Sequence, residues 1–303
     1  MMSPATGAKI AELADRGVVG VTGADAGKLL QDVITNDMDQ LSARPSIHAA
    51  LLTPQGKILF EFFVVKVPEG FLLEAAADKT ADLAKRLTLY RLRAKVDIKD
   101  RAGEYRVFAL WGGAREASER AAGIHLVPDP RLPALGLRAL APGPLATDFV
   151  RASLALQVPA QDYHAHRIAL GVPEGGKDYA FGDAFPHEAD HDQLHGVSFA
   201  KGCFVGQEVV SRMQNRSQVR KRIVAIRGDA PLVAGAEITA GAAVIGTVGS
   251  VTGSDALALV RLDRAAEALA KGISLTAGGV AVALRKPDWA NFELAPVVAA
   301  GAS

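Results

Sequence analysis

The single cysteine of the chain lies in the segment Lys201-Gly202-Cys203-Phe204-Val205-Gly206-Gln207-Glu208. A lone thiol forms no internal disulfide, so Cys203 could act as a nucleophile, a metal or cluster contact, or an intermolecular partner. Lys201 places a cation two residues away, and a helix expected from about Gly206 places its positive dipole end nearby. The segment therefore predicts an accessible, reactive thiolate, and the alternative is a buried cysteine that only fills space.

A histidine-rich segment is the second place where metal chemistry is conceivable. His187-Glu188-Ala189-Asp190-His191 matches the zinc-peptidase pattern H-E-x-x-H, and His195 follows at helical spacing. A zinc-peptidase helix packs an apolar face into a core, whereas this stretch is polar and is typical of a loop. A zinc metallohydrolase acting through His187, Glu188 and His191 is therefore a remote alternative, and no metal site is predicted.

Basic residues cluster in two parts of the chain. One cluster comprises Arg86, Arg91, Arg93, Lys95, Lys99 and Arg101, and the other comprises Arg212, Arg216, Arg220, Lys221, Arg222 and Arg227. Guanidinium groups bind carboxylates through a planar pair of bonds, so the clusters fit a cationic rim for a carboxylate ligand as well as a solvated surface. RNA is a weaker interpretation, because aromatic residues that could stack on bases are not interleaved with them.

The cysteine segment, with Val209 and Arg212 after it, resembles the signature of the YgfZ-type folate-binding proteins. These are relatives of the glycine-cleavage T-protein (aminomethyltransferase), and their mitochondrial counterparts act in iron–sulfur cluster assembly. The resemblance spans nearly the whole chain. Its other segments are Val21-Thr22-Gly23-Ala24-Asp25-Ala26, Leu30-Gln31, Thr35-Asn36-Asp37, Tyr90-Arg91-Leu92-Arg93-Ala94-Lys95-Val96, residues 163–173 and Phe185-Pro186-His187-Glu188.

The resemblance implies an α+β fold in three parts. A T-protein-like, folate-binding body of mixed sheets and helices would cover residues 1–219 in two subdomains, followed by an antiparallel β-barrel at 220–290 and a tail at 291–303. The implied ligand is tetrahydrofolate or a related reduced folate. The implied role is assembly or repair of iron–sulfur enzymes, including tRNA-modifying ones, with client or assembly proteins as partners and without direct nucleic-acid or membrane binding.

The resemblance also implies which residues form the site. The implied working residues are Cys203 and Lys201, and the implied folate or loop contacts are Tyr163, Glu188, Gln207, Glu208 and Arg212. Lys201 would support the thiolate electrostatically. The ring of Tyr163 would face the folate, and packing in the core is its alternative role.

Two positions depart from the family pattern. Aminomethyltransferases carry two adjacent aspartates in a hairpin where this chain has Phe60-Glu61. Catalysis is sensitive to shifts of about 1 Å, so the longer glutamate argues against transferase activity. A folate-dependent aminomethyltransferase or demethylase remains the alternative function. Arg16 stands where a second aromatic residue of the folate cleft is expected.

The composition is that of a large globular protein. The chain has 303 residues, 49% of them hydrophobic, and a net charge of +1, which suggests two or three domains and no strong electrostatic attraction to nucleic acid or membrane. The first ten residues lack the basic and apolar regions of a signal peptide. Together with the single cysteine, this predicts a cytoplasmic protein.

Sequence periodicity predicts the elements that hold these residues. Strands are expected at 16–22, 47–53, 58–67, 71–76, 96–98 and 105–110, with a hairpin turn at 54–56. Helices are expected after Asp25 and Asp78, each of which would act as N-cap, and within 152–171. Residues 112–144 suggest a helix and a loop, and short β-type runs after Arg220 suggest the barrel.

Overall fold

The computed structural model describes residues 7–113, 123–215 and 219–294, and these residues fall into two compact units. The first unit comprises Met1–Tyr163 and Leu194–Ser211. The second unit comprises His164–Gln193 and Arg212–Ser303. No helix in the described ranges combines the length and apolarity that a bilayer crossing requires.

The first unit contains two five-stranded sheets. One sheet has the order β3-β4-β5-β2-β6, formed by β2 (Arg16–Thr22), β3 (Ser46–Leu52), β4 (Ile58–Val67), β5 (Gly70–Ala76) and β6 (Asp97–Asp100). The other has the order β10-β1-β7-β9-β8, formed by β1 (Lys9–Glu12), β7 (Tyr105–Trp111), β8 (His125–Pro128), β9 (Leu137–Pro142) and β10 (Leu156–Gln157). The hairpin predicted at 54–56 joins β3 to β4 in antiparallel register.

Helices cover the outer face of each sheet. Apolar residues of β2 to β5 alternate toward α1 (Ala26–Val33) and α2 (Thr80–Arg91), and Leu30, Phe62 and Leu87 are fully buried in that layer. The second sheet packs Phe108 against Phe149 of α3 (Gly143–Ser153), with ring centroids 5.9 Å apart. The strands of the first sheet are nearly continuous apolar runs, because one face packs on the helices and the other is also buried.

The inner faces of the two sheets carry buried charges. Arg138 of β9 lies 3.5 Å from Glu74 of β5, and Arg16 of β2 donates to the same carboxylate at 2.5 Å. Asp129 accepts hydrogen bonds from Arg131 at 2.9 Å and from Arg138 at 3.2 Å. Because each buried guanidinium has a carboxylate partner, the layer avoids the large cost of isolated buried charges.

The second unit contains a closed antiparallel barrel of six strands in the order β11-β14-β13-β12-β15-β16. Its elements are α4 (Ala160–Ala169, which begins in the first unit), α5 (Gln207–Asn215, which crosses the division), β11 (Lys221–Gly228), β12 (Glu237–Ala240), β13 (Ala243–Thr252), β14 (Asp255–Arg261), α6 (Leu262–Ala270), β15 (Leu275–Ala277) and β16 (Val280–Arg285). The predicted α+β class with a C-terminal barrel is confirmed.

The local predictions differ in outcome. Asp25 occupies the N-cap position of α1, as predicted, but its side chain makes no capping hydrogen bond, because its carboxylate accepts from the backbone amide of Lys95 at 2.7 Å. Asp78 lies in a short 3-10 turn, Ala77–Lys79, and does not cap α2. In the described part of 112–144, strands β8 and β9 occupy much of the stretch for which a helix and a loop are predicted, and residues 114–122 lie outside the described residues. Part of the predicted tail, 295–303, lies outside the described residues.

Candidate functional site

Cys203 is exposed on a loop of the first unit, immediately before α5. Its neighbour Phe204 is buried and anchors the loop, whereas Gly202 has no atom within 4 Å of the position where a Cβ would stand. The accessibility predicted for the thiol therefore agrees with its placement. The thiol is open to a partner or reagent, and the anchored neighbour fixes where it is presented.

Lys201 does not direct its ammonium group into solvent beside the thiol. The Nζ atom donates to the backbone carbonyls of Gln31 at 2.6 Å, Ile34 at 2.7 Å and Asn36 at 3.0 Å. Burial lowers the pKa of Lys201 to about 8, and the carboxylates of Asp37 and Asp32 oppose that effect. The three donors of the ammonium are thus used to fasten the cysteine loop to the C-terminal end of α1.

Thr35 and Asn36 fasten the same loop from the other side. The hydroxyl of Thr35 donates to the carbonyl of Gly196 at 2.6 Å, and its backbone carbonyl accepts from the amide of Ser198 at 3.0 Å. The side-chain amide of Asn36 donates to the carbonyl of His195 at 2.7 Å. Both side chains are buried, so residues 195–201 are held by hydrogen bonds shielded from water.

The hairpin between β3 and β4 supports the other end of the loop. A Cβ added to Gly206 would lie 2.6 Å from the carbonyl oxygen of Thr53, and one added to Gly56 would lie 2.9 Å from the side chain of Val209. Both glycines have a φ of +80°, which side chains rarely adopt. The start of α5 and the hairpin can approach this closely only because both residues are glycine.

The remaining predicted site residues separate into three groups. Gln207 and Glu208 form the first turn of α5 beside the cysteine loop, with Gln207 half-buried and Glu208 exposed, and Arg212 is exposed further along the helix. Glu188 lies in the second unit, where its carboxylate accepts from the amide of Phe185 at 2.9 Å. The structure therefore brings Gln207 and Glu208 close to Cys203 and gives Glu188 a turn-closing bond.

Tyr163 lies in the charged layer of the first unit and not on a surface. Its side chain is fully buried, and its hydroxyl lies 2.9 Å from Arg138 and 3.1 Å from Arg131. Trp111 packs edge-on against its ring, with centroids 5.6 Å apart. This burial favours the alternative role of Tyr163, packing in the core, over a ring that faces a ligand. Arg16, at the other unexpected position, pairs with Glu74.

The hairpin that departs from the aminomethyltransferase pattern places its two residues on opposite faces of β4. Phe60 belongs to the helix-covered core. Glu61 is buried on the inner face, where its carboxylate lies 3.1 Å from Nε2 of His48. The carboxylate at this position is thus held by a neighbouring strand.

The histidine segment of the second unit does not form a zinc-peptidase helix. Residues 187–195 form successive turns, and in the described residues the ligand atoms of His187, Glu188 and His191 do not converge on one point. Nε2 of His187 lies 3.0 Å from the amide oxygen of Gln214. The helix that the zinc-peptidase pattern requires is therefore not formed, and the segment is the polar loop that the sequence predicts.

A guanidinium group fastens this polar loop to the barrel. Arg222 of β11 donates to the carbonyl of His187 at 2.7 Å and to the carboxylates of Asp190 and Asp192, each at 2.9 Å. Burial raises the pKa of Asp190 well above its usual range, although Arg222 opposes the shift. Asp190 has a φ of 58°, so the segment is both strained and buried.

The two basic clusters differ in how far their side chains are paired. In the second cluster, Arg222 is bound by the carboxylates of Asp190 and Asp192, and it also lines a cavity of about 490 Å³ in the second unit together with Arg220, Met213 and Phe292. Arg216 lies outside the described residues. In the first unit, Lys85, Arg86, Arg93 and Lys95 are exposed around the end of α2. Sequence reasoning placed Thr35 and Asn36 only within a segment of family resemblance and did not single out Asp129, because the partners of all three side chains could not be inferred from the sequence.

Comparisons with known proteins bear on the family. Residues 220–292 match the family described as CAF17, C-terminal beta-barrel domain. The human iron–sulfur cluster assembly factor IBA57, mitochondrial, is 34% identical over 266 residues, which is 78% of this chain and 71% of the human protein. The homologue in Neurospora crassa is 33% identical and covers 72% of this chain.

Length and localisation qualify these matches. The chain spans about half the length of the fungal relatives, 53% for Neurospora crassa and 56% for Mycosarcoma maydis. These relatives are mitochondrial proteins by name, which contradicts the predicted cytoplasmic localisation: a single cysteine and the first ten residues were insufficient grounds for it.

The fold has a solved counterpart. The glycine cleavage system aminomethyltransferase T from Bartonella henselae superposes with a TM-score of 0.76 at 17% identity, covering 94% of this chain and 86% of that protein. This likeness confirms the T-protein-like fold. The sequence comparisons support the cluster assembly branch, so the narrower YgfZ-type assignment stays a prediction. The chain belongs to the family of the iron–sulfur cluster assembly factor IBA57.

Proposed function

We propose that the protein takes part in the assembly of iron–sulfur clusters and that Cys203 is its working residue. The observation that carries the proposal is an exposed thiol on a loop that is fixed by Lys201, Thr35 and Asn36. The names of its relatives supply the pathway class. A thiol that must meet a partner protein in a defined geometry has to be carried by a rigid loop, and these hydrogen bonds make the loop rigid.

A single thiolate cannot hold a four-thiolate cluster by itself. Cys203 would therefore contact a cluster, or a thiol of a partner protein, only together with ligands that the partner supplies. The cluster is cargo in this proposal, and the protein's own contribution is presentation of the sulfur. Lys201 acts through the loop backbone, because its three donors are directed to carbonyl groups.

The proposal extends to the client enzymes that receive clusters and to a small-molecule ligand. We include tRNA-modifying iron–sulfur enzymes among the clients and tetrahydrofolate or a related reduced folate as a ligand, both supported by the family resemblance of the sequence. The burial of Tyr163 means that its ring cannot stack on a pterin in this conformation. Calorimetry with millimolar reduced folate at low salt tests the ligand, and no heat with any folate form would refute it.

The role of Cys203 is tested by complementation in cells that lack the protein. We expect Cys203→Ala to abolish recovery of iron–sulfur enzyme activities while the melting temperature stays within about 2 °C of the parent. Ala200→Ser, at an exposed position of the same loop, is the matched control and should complement fully. Full recovery with Cys203→Ala would remove the thiol from the mechanism.

A second variant tests the fastening of the loop. Lys201→Met deprives three carbonyls of a donor, and we expect it to lower complementation and to change the rate at which iodoacetamide alkylates Cys203 in the native protein. The variant must keep a cooperative thermal transition for the result to count. Unchanged alkylation and complementation would show that the loop does not need Lys201.

A further inference from the structure

The turn that follows α2 has a backbone shape that normally requires glycine. The amide of Ala94 donates to the carbonyl of Arg91 at 2.8 Å, which closes a four-residue turn. Leu92, the second residue of that turn, has φ 46° and ψ −108°, close to the first central position of a type II′ turn. Glycine dominates that position because a Cβ is strained there.

The side chain of Leu92 gains little burial against the described residues that would offset this strain. It is 87% exposed, and Leu89, one helical turn earlier on α2, is 63% exposed. Glycine would form the same turn without strain and without exposing a leucine to water. Strain at an exposed apolar residue therefore points to a contact made with another molecule.

Cations predominate in the segment that carries the two leucines, and Asp25, just before α1, and Asp32 of α1 line a cavity with Leu92 and Arg93 on one side of it. Residues 82–95 contain five cations and one acid. The side chains of Lys85, Arg86, Arg93 and Lys95 are exposed, and in the described ranges none of them makes an ion pair within the chain. We call the six residues Lys85, Arg86, Leu89, Leu92, Arg93 and Lys95 the α2-end patch.

We propose that the α2-end patch is a docking surface for an acidic segment of a partner protein, in which Leu92 enters an apolar hollow. Desolvated apolar anchors surrounded by charge pairs are the usual anatomy of a specific protein contact. A nucleic acid would supply negative charge but no hollow for a leucine, and aromatic stacking residues are lacking among the six. Two leucines also form too small an apolar face for stable insertion into a lipid surface.

The proposal does not rest on Cys203, and its test uses binding and not cluster assembly. A photo-crosslinking amino acid is placed at Leu89, Leu92 or, as the matched control, Leu156, which is also 63% exposed but lies in β10. The full chain is expressed in cells that depend on it, and crosslinked segments are identified by mass spectrometry. We expect positions 89 and 92, but not 156, to capture the same partner segment, rich in Asp and Glu.

Two sets of variants make the test decisive. Leu92→Gly should raise the melting temperature by about 2 °C or more, since it removes backbone strain, and should reduce capture from position 89 at least fivefold. Arg86→Glu with Arg93→Glu should abolish capture, and reversing acids to lysine in the captured segment should restore it. Capture of nucleic acid or lipid, a segment without excess acid, equal capture at 156, no capture at all, or a lower melting temperature for Leu92→Gly would each overturn the proposal.

Discussion

Asp190 shows how one residue can oppose the stability of the fold that contains it. It is fully buried, and it shares the single guanidinium of Arg222 with Asp192. Burial disfavours ionisation of Asp190 more than Arg222 favours it, so its pKa is raised. Asp192 responds in the opposite direction, because its bonds to Arg222 outweigh its burial and lower its pKa.

Replacing either carboxylate by an amide, Asp190→Asn or Asp192→Asn, is expected to change the melting temperature in opposite directions. The folded chain retains a proton on Asp190 that the unfolded chain releases above pH 3.8. The raised pKa therefore lowers the free energy of unfolding. This loss is absent below about pH 4 and grows as pH rises toward the folded pKa. Asp190→Asn should therefore raise the melting temperature at pH 7 by about 2 °C or more, and the gain should vanish near pH 4. Asparagine also tolerates the positive φ.

Asp192→Asn is the matched control. Its lowered pKa contributes stability above the unfolded pKa that is lost as pH falls, so the amide should lower the melting temperature at pH 7. Thermal melts of both variants between pH 3.5 and pH 7 give the comparison. A lower melting temperature for Asp190→Asn at pH 7 would mean that the buried carboxylate is ionised and stabilising.

Sequence reasoning at the residue scale succeeded where the signal was local and failed where it depended on distant partners. The exposure of Cys203 could be predicted, since glycines and charges surround it. Lys201 could not be assigned correctly, because proximity in sequence suggested the thiol while its Nζ bonds to carbonyls of residues 31, 34 and 36. The burial of Tyr163 could not be predicted either, because Arg131 and Arg138, which donate to its hydroxyl, are 32 and 25 residues away in the chain.

Gly206 and Gly56 allow the start of α5 and the β3–β4 hairpin to approach closely at the cysteine loop. Gly206→Ala would place a Cβ 2.6 Å from a backbone oxygen at a φ of +80°. We expect a loss of about 1–3 kcal/mol in the free energy of unfolding, together with lower complementation. Gly202→Ala is the control, because no atom lies within 4 Å of its Cβ position, and it should change stability by less than about 0.5 kcal/mol. Equal losses for both would show that close packing is not the cause.

The charged layer between the sheets of the first unit predicts an acid response. Burial disfavours the charge of Asp129, but Arg131 and Arg138 outweigh it and lower the pKa to about 2. Its contribution is present above the unfolded value near 3.8 and is lost as pH falls toward 2, and it amounts to roughly 2 kcal/mol.

Asp129→Asn should therefore lower the free energy of unfolding at pH 7 and flatten its decline between pH 4 and pH 2, as measured in urea. Asp148→Asn is the control, because Asp148 and Arg151 form an exposed pair that contributes little. A parallel decline in parent and Asp129→Asn would show that other carboxylates govern the acid response.

Prediction at the element scale depended on how strongly each segment was patterned. The strands at 16–22 and 58–67 and the hairpin between β3 and β4 were predictable, because apolar, β-branched and aromatic runs and a Pro-Gln-Gly turn determine them locally. The strands β8 and β9 were not, because alanine, proline and glycine dominate that region. Their strand conformation comes from pairing, of β9 with β7 and of β8 with β9, which a local pattern does not contain.

The whole molecule has the fold of an aminomethyltransferase, but Phe60-Glu61 stands in place of the pair of hairpin aspartates. Phe60 is in the core, and Glu61 is buried against His48. We expect no methylene-tetrahydrofolate when the purified protein receives aminomethyl-loaded carrier protein and tetrahydrofolate. The aminomethyltransferase of Bartonella henselae serves as the positive control. Turnover of about 1 per second or faster would restore the transferase alternative.

The first unit is discontinuous, since Met1–Tyr163 is completed by Leu194–Ser211. The carbonyl of Gln31 receives its donor from Lys201, a residue 170 positions later. A ribosome adds about 5–20 residues per second, so the end of α1 waits roughly ten seconds or more for its partner. During that interval the sheets of the first unit have been synthesised, but residues 194–211, which complete the unit, have not. Nascent chains of this family are therefore expected to need chaperone protection until residues 194–211 emerge.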